Sequence, residues 1–366
     1  MKTSTIELNQ KLETPGIFTS LLTKFRGNKP KTVATDLGSK VKNALLILGS
    51  IILFFAFWHF GSKALFNIEA NVMIEAARKE GGDAAALATK NCIATGDLSC
   101  KPNALPSPAD VWNAGLSMYK DYQVLSASKR KFYEETAQVN AQLKAQGKKT
   151  MVYTGRSSFV DRIGKSLLTV FAGVILAMFI SIPIGILVGL NDKVKLMFNW
   201  IIQIFKPVSP VVWFLLVYMI IKTISKNIEM DKSFIICTVA VALCSMWATL
   251  VNTSVGVASV DKDYLNVANV LQLGFMKRIF KIILPSSLPM IFTGLRVTVS
   301  VAWMVLIAIE LLAQSPGLGS FVWEEFQNGA SDSNAKIIFA MFVIGIIGFL
   351  LDKIMLALQK TMVYSK

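Results

Sequence analysis

Histidine is almost missing from this chain: His59 is the only one in 366 residues, and there are only four cysteines. Cys92 and Cys100 lie in a polar stretch, while Cys237 and Cys244 lie inside an apolar run. Two sulfurs without a nearby histidine do not make a zinc centre, so no metal site is expected. A Gly-x-x-x-x-Gly-Lys-Ser/Thr loop is also lacking. Gly147-Lys148-Lys149-Thr150 falls short of it, so the chain is not expected to hydrolyse a nucleoside triphosphate itself. Alternating apolar and polar residues of the kind that build a membrane barrel are absent. The start carries no short signal-peptide pattern. Acidic residues are scarce, 23 against 38 lysines and arginines, a net charge of +15. No basic stripe interleaves with aromatics, which speaks against nucleic acid as a partner. The excess is better read as basic residues that hold loop ends on the cytoplasmic side of a membrane.

What the chain has is apolar length. Apolar residues make up 53% of it, and mean hydropathy is +0.53. Several runs approach the ~20 residues that span a bilayer, where only helices and closed barrels satisfy their backbone groups. The expected fold is therefore an all-α integral membrane protein with six transmembrane helices, at about 44–61, 163–190, 210–221, 234–257, 290–313 and 335–358. Lysines precede the first run, and Lys353 and Lys360 flank the last, so both termini are placed in the cytoplasm. The organisation expected is a cytoplasmic tail over 1–43 with an interfacial helix near 17–25, a first span over 44–61, an external insert over 62–160, and a core of five spans over 161–360. Glycines 173, 185 and 189 in the second span permit close helix approach. Lys206-Pro207 and Pro210 divide a short interfacial helix from the third span, and a loop at 222–232 faces outward.

The insert carries helical character at 68–79 and 126–146. Ser107-Pro108-Ala109-Asp110 reads as a helix start, with Ser as cap and Asp three residues on. Outside the cytoplasm, Cys92 and Cys100 are candidates for a disulfide closing a short loop, with two free thiols as the other reading. The insert either docks a soluble partner or caps the core.

A polar, basic, helix-patterned island occupies 259–289. Leu265, Ala268, Leu271, Phe275, Ile279 and Ile283 recur at spacings of three and four, giving one apolar face. Gly274 marks a place for a helix to end or bend, and Pro285 and Pro289 are expected to prevent one unbroken helix into the next span. Two readings stand: an ordinary amphipathic inner loop, or an element that converts a push into movement of the fifth span. Within that span Arg296 and Glu310 are costly charges and functional candidates. Arg296 either attracts or gates an anion, or hydrogen-bonds between helices, or snorkels to the interface. Glu310 is read as structural, holding backbone amides of the 315–319 loop. Ser300, Trp303 and Met304 are candidate path residues, and Asn252 with Thr253 is expected to hydrogen-bond to neighbours.

From about 157 to 360 the chain resembles the permease subunit of bacterial ATP-binding-cassette importers of the nitrate, sulfonate, taurine and bicarbonate type. The resemblance rests on Leu284-Pro285-Ser286-Ser287-Leu288-Pro289, Gly294-Leu295-Arg296, the run at 302–312, Ser315-Pro316-Gly317-Leu318-Gly319, the run at 345–353, Lys206-Pro207-Val208-Ser209-Pro210, and the segment 104–112. The family carries a Glu-Ala-Ala pattern followed by a Gly ahead of its Leu-Pro. Aligned on Leu284-Pro285, those positions hold Asn266, Val267 and Ala268, with Gln272 on the glycine. The resemblance implies an all-α type I importer permease fold, residing in the bacterial inner membrane. It also implies a second permease copy, ATPase subunits that bind ATP and Mg, and a periplasmic substrate-binding protein, with no cofactor in this chain. Asn266, Ala268, Leu271, Gln272, Gly274, Leu284 and Pro285 then become the ATPase-coupling residues. The cargo implied is a small anion, with nitrate first on the likeness of 319–329 and 337–352, and nitrite, cyanate, bicarbonate and sulfonates behind it. A stand-alone secondary transporter is the reading of a different class. It would show internal repeats and paired broken helices, whereas 206–210 has no counterpart.

Overall fold

The computed structural model describes residues 33–97, 100–224, 231–330 and 332–364. The interfacial helix expected near 17–25 and most of the 222–232 loop lie outside these residues, as does the tail except for 33–43. Among the described residues there is no strand. Two compact units divide at Gly61 and Ser62. Helix α1, Val33–Thr95, begins in the first unit, where its apolar run at 44–61 is largely exposed to the surroundings. Within the second unit its backbone leaves helical geometry at Gly82 (φ 73°, ψ −166°), a conformation open only to glycine. Cys92 and Cys100, with Cα atoms 5.9 Å apart, are joined by a disulfide.

Helix α2, Pro108–Ala145, starts as its sequence dictates. Pro108 occupies the first turn and Ser107 and Asp110 form a reciprocal capping box. The Asp110 amide donates to Ser107 Oγ at 3.3 Å, and the Ser107 amide donates to Asp110 Oδ2 at 3.1 Å. Helix α3, Phe159–Leu190, repeats the device with Ser158 and Asp161. Helices α4, Asp192–Phe205, and α5, Pro210–Ile224, follow, then α6, Lys232–Ala258.

Among the described residues five helices are long and apolar enough to cross a membrane: Val41–Thr95, Phe159–Leu190, Lys232–Ala258, Phe275–Ala313 and Ser333–Met362. The expected third span is present as helix α5, after the expected proline break. Helix α5 has 15 residues, about 22 Å, shorter than the ~30 Å hydrocarbon core. It reaches a sixth span only as one limb of a pair with α4, bent by 103° at Lys206–Ser209. Pro207 and Pro210 make that bend, since neither can donate to the helical ladder.

The core lies between α3, α6 and helix α9, Leu284–Ala313. Close approach depends on the glycines of α3. A Cβ on Gly185 would stand 2.9 Å from Leu250 O, and one on Gly189 would stand 2.6 Å from Ser254 O, so both need glycine for the helices to touch. Where lipid removes the hydrophobic drive between helices, such backbone contact and buried hydrogen bonds hold them together. Thr249 and Thr298 share a 2.7 Å bond between α6 and α9, and Thr298 Oγ1 also donates to Ser245 O. Of the bonding to neighbours expected of Asn252 and Thr253, only that of Asn252 is there. Asn252 donates to Ala248 O of its own helix, and Thr253 Oγ1 is buried against Gly185 with no partner.

Candidate functional site

After α6 ends at Ala258, the chain turns through helix α7, Lys262–Val270, and helix α8, Phe275–Arg278. Asp261 caps α7, its carboxylate accepting the Asp263 amide at 3.0 Å. At the other end the Leu273 amide donates to Ala268 O and the Gln272 amide to Asn269 O, both at 3.0 Å. These two bonds form a Schellman cap, whose key residue must adopt a left-handed conformation. That residue is Gln272, at φ 48°. The left-handed residue therefore lies two residues before Gly274, which is extended (φ −61°, ψ 155°) and opens α8. The expected bend at Gly274 is thus corrected to Gln272.

The apolar face is corrected as well. Leu265, Ile279 and Ile283 pack inward with Ile186 and Val257, and Ala268 is buried, only 1% exposed. Leu271, at 63%, and Phe275 point out, because the Schellman cap interrupts the helical period between Ala268 and Ile279. Val267, Val270, Met276 and Phe280 are exposed beside them. Asn266 is exposed and carries no charge. The turn thus presents an apolar knob on a buried footing, tied by Arg278 Nη1 donating to Asn269 Oδ1 at 3.4 Å.

From the footing a π turn, Ile279–Ile283, runs without a break into α9. The prolines do not separate the loop from the span as expected. Pro285 lies in the first turn of α9, and the wider turn before it accommodates its missing donor. Pro289 sits inside the helix, with Thr293 Oγ1 donating to its carbonyl at 2.9 Å. Leu284 packs with Ile279 and Ile283 on the footing. From Phe275 to Ala313 the second half of the loop and the span are one continuous helix.

Along α9, Arg296 is not a free cation. Its Nε and Nη2 donate to the two carboxylate oxygens of Asp352 at 2.5 and 2.8 Å, joining α9 to helix α11, Ser333–Tyr364. Trp303 is buried, and its Nε1 donates to Ile344 O of α11 at 3.0 Å, so it pins α9 to α11. Ser300 donates to Arg296 O of its own helix. Met304 is 69% exposed. With Thr293, Val297, Ser300, Ala308 and Leu312 it forms one exposed stripe at spacings of three and four, about 28 Å long.

Glu310 is 1% exposed. Ser166 Oγ on α3 donates to it at 2.7 Å, and the Gly319 amide at 3.0 Å, where helix α10, Leu318–Asn328, begins. Ser166 Oγ in turn accepts the Leu318 amide at 2.9 Å. The carboxylate is therefore a clamp on the turn that closes α9 onto α10. Beside it Arg162 donates twice to Glu324, at 2.9 and 2.7 Å, linking α3 to α10. Asp352, Ser166 and the Thr249–Thr298 pair escaped the reading of the sequence. A signal for each existed, since polar groups inside apolar runs demand partners. Among the described residues no cluster of His, Cys, Asp or Glu could hold a metal.

Comparison with known proteins places this geometry. Residues 181–364 match the family model described as binding-protein-dependent transport system inner membrane component. A bicarbonate transport system permease, CmpB of Synechococcus elongatus, is 36% identical over 197 residues, 53% of this chain and 66% of that protein. The nitrate import permease NrtB of the same organism is 32% identical, over 52% of this chain and 64% of that protein. The taurine transport system permease TauC of Escherichia coli is 31% identical, over 58% of this chain and 74% of that protein. Against CmpB and NrtB the chain spans just under two thirds of the relative's length.

Proposed function

Because this chain belongs to the binding-protein-dependent transport system inner membrane components, we propose that it is the multi-pass permease of an ATP-driven importer for a small anion in a bacterial inner membrane. A separate ATPase hydrolyses ATP, a periplasmic binding protein delivers the cargo, and a second permease copy completes the pore. The termini and the α7 turn face the cytoplasm. The observation that carries the reading is the α7 turn: an exposed apolar knob on a buried footing that leads from Phe275 through the π turn into α9. Without an acid at Asn266, the knob grips its ATPase by apolar and backbone contacts. Leu271, Phe275 and their neighbours form the contact, Ala268 and Leu284 seat it, and Gln272, Gly274 and Pro285 shape the turn. Nitrate is the first choice of cargo, on the likeness of 319–329 and 337–352 to nitrate-type permeases. Bicarbonate is the second reading, favoured by the 36% identity to a bicarbonate permease. Sulfonates and cyanate follow.

The test is Leu271→Asp in the full complex. The variant is expected to lower anion uptake at least about ten-fold, because a buried unpaired charge at an interface costs about 2 kcal/mol or more, and to weaken co-purification with the ATPase. Unchanged uptake, or a wild-type chain that transports without any ATPase, sinks the reading in favour of a secondary transporter.

A further inference from the structure

We infer that the cavity between α5, α6 and α9 is the receiving site for a small oxyanion; the inference rests on the importer reading and places its cargo. The cavity, about 580 Å³, opens at the C-terminal ends of α5 and α9 and the N-terminal end of α6. It therefore lies at the opposite end of α6 and α9 from the coupling turn, about 40 Å of helix away. Its size fits a small solute with some of its water.

Its lining is chemically lopsided. Among the described residues Lys222 and Lys232 both line it, with Tyr218, Ser233 and Gln314 as further polar groups, and no acidic residue does. The Lys222 ammonium is held over the Tyr218 ring, 5.7 Å from its centre, and not by a carboxylate. Among the described residues neither lysine makes an ion pair. Among the described residues Asp231 is the neighbouring acid, and one of its carboxylate oxygens is engaged as the α6 cap by the Ser233 amide at 3.0 Å. Phe214, Ile236 and Leu312 supply an apolar wall that lowers the local dielectric and strengthens the pull of both ammonium groups on an anion. The other cation considered for this role, Arg296, is neutralised by Asp352. Gln314 closes α9 in the left-handed region, φ 48°, an unfavourable conformation held at the cavity lip.

The cavity also connects to something. Leu312 belongs both to its wall and to the exposed stripe on α9, which runs from there through Met304 and Ser300 toward the coupling end. An anion caught between Lys222 and Lys232 stands at the head of that stripe. The cluster thus performs the first capture, and Arg296 holds α9 to α11.

The experiment uses the full complex in lipid vesicles, with its binding protein and labelled nitrate, bicarbonate and taurine as probes. K222Q/K232Q is expected to raise the half-saturating anion concentration for uptake roughly ten-fold, with assembly, basal ATP hydrolysis and binding-protein affinity unchanged. Lys222→Arg should keep most of the affinity, and K131Q, which removes an exposed charge on α2, should change nothing. Wild-type half-saturation in the double variant overturns the assignment and leaves the importer reading standing. The assignment also falls if the loss is traced to weaker docking of the binding protein. A wild-type complex that takes up none of the three anions overturns both.

Discussion

Gln272 holds the α7 turn in a conformation that an L side chain resists, at a cost of roughly 1–2 kcal/mol. Glycine adopts it freely and loses about 0.5–1 kcal/mol through its looser unfolded chain. Gln272→Gly is therefore expected to stabilise the turn by up to about 1 kcal/mol, read as amide exchange at Leu273 slowed up to about five-fold. Faster exchange would mean that the Gln272 side chain contributes something beyond its backbone. Alignment on Leu284-Pro285 had already put Gln272 on the family's glycine, and its positive φ supplies the physical reason. Composition alone pointed to Gly274 instead. Which residue ends a helix is decided by its terminal hydrogen bonds, here Leu273 to Ala268 and Gln272 to Asn269. Glu310 was legible because a lone carboxylate near a loop of free amides must find donors. The partner of Arg296 was not, because a pairing across 56 residues is fixed only by how α9 and α11 pack.

Among the elements, α2 shows local chemistry deciding a start. Burial pushes the Asp110 carboxyl up, but the Ser107 hydroxyl, Lys101 and the Ser107 amide together outweigh it and hold the group below its ordinary 3.8. A depressed carboxylate contributes stability that is present above its unfolded value and lost as pH falls through the folded one. Amides of the first α2 turn should therefore keep their exchange protection, after correction for intrinsic rates, down to about pH 4 and lose it below. Ser107→Ala should remove about 1 kcal/mol of protection there at neutral pH. A wild-type cap that loses protection already near pH 6 would contradict this account. The start was readable because a capping box lies within four residues of sequence. The fate of Pro285 and Pro289 was not. Proline forbids a donor but does not dictate whether a helix stops or widens into a π turn, and packing of Ile279 and Ile283 on Ile186 and Val257 favours the latter.

On the scale of the whole molecule, the apolar runs of the sequence became, among the described residues, five long helices and one bent pair, since hydrophobic length is set by the bilayer and is visible in the chain. Glycines 185 and 189 were visible as small residues, and their close approach to α6 gives them their use. The long-range polar pairs were hidden: Ser166 with Glu310, Arg162 with Glu324, Thr249 with Thr298. Each joins helices far apart in sequence, and together they bind α3, α6, α9 and α10. The α7 knob can then move α9 as a lever only if its partner moves the knob. The central claim is that ATP hydrolysis elsewhere is coupled through this chain to anion import. It is tested most directly by ATP hydrolysis of the reconstituted complex, with binding protein, across a panel of small anions. Stimulation by nitrate or bicarbonate, abolished by Leu271→Asp with the complex still assembled, is the predicted result. Hydrolysis indifferent to every anion, or stimulation that survives Leu271→Asp, would contradict it.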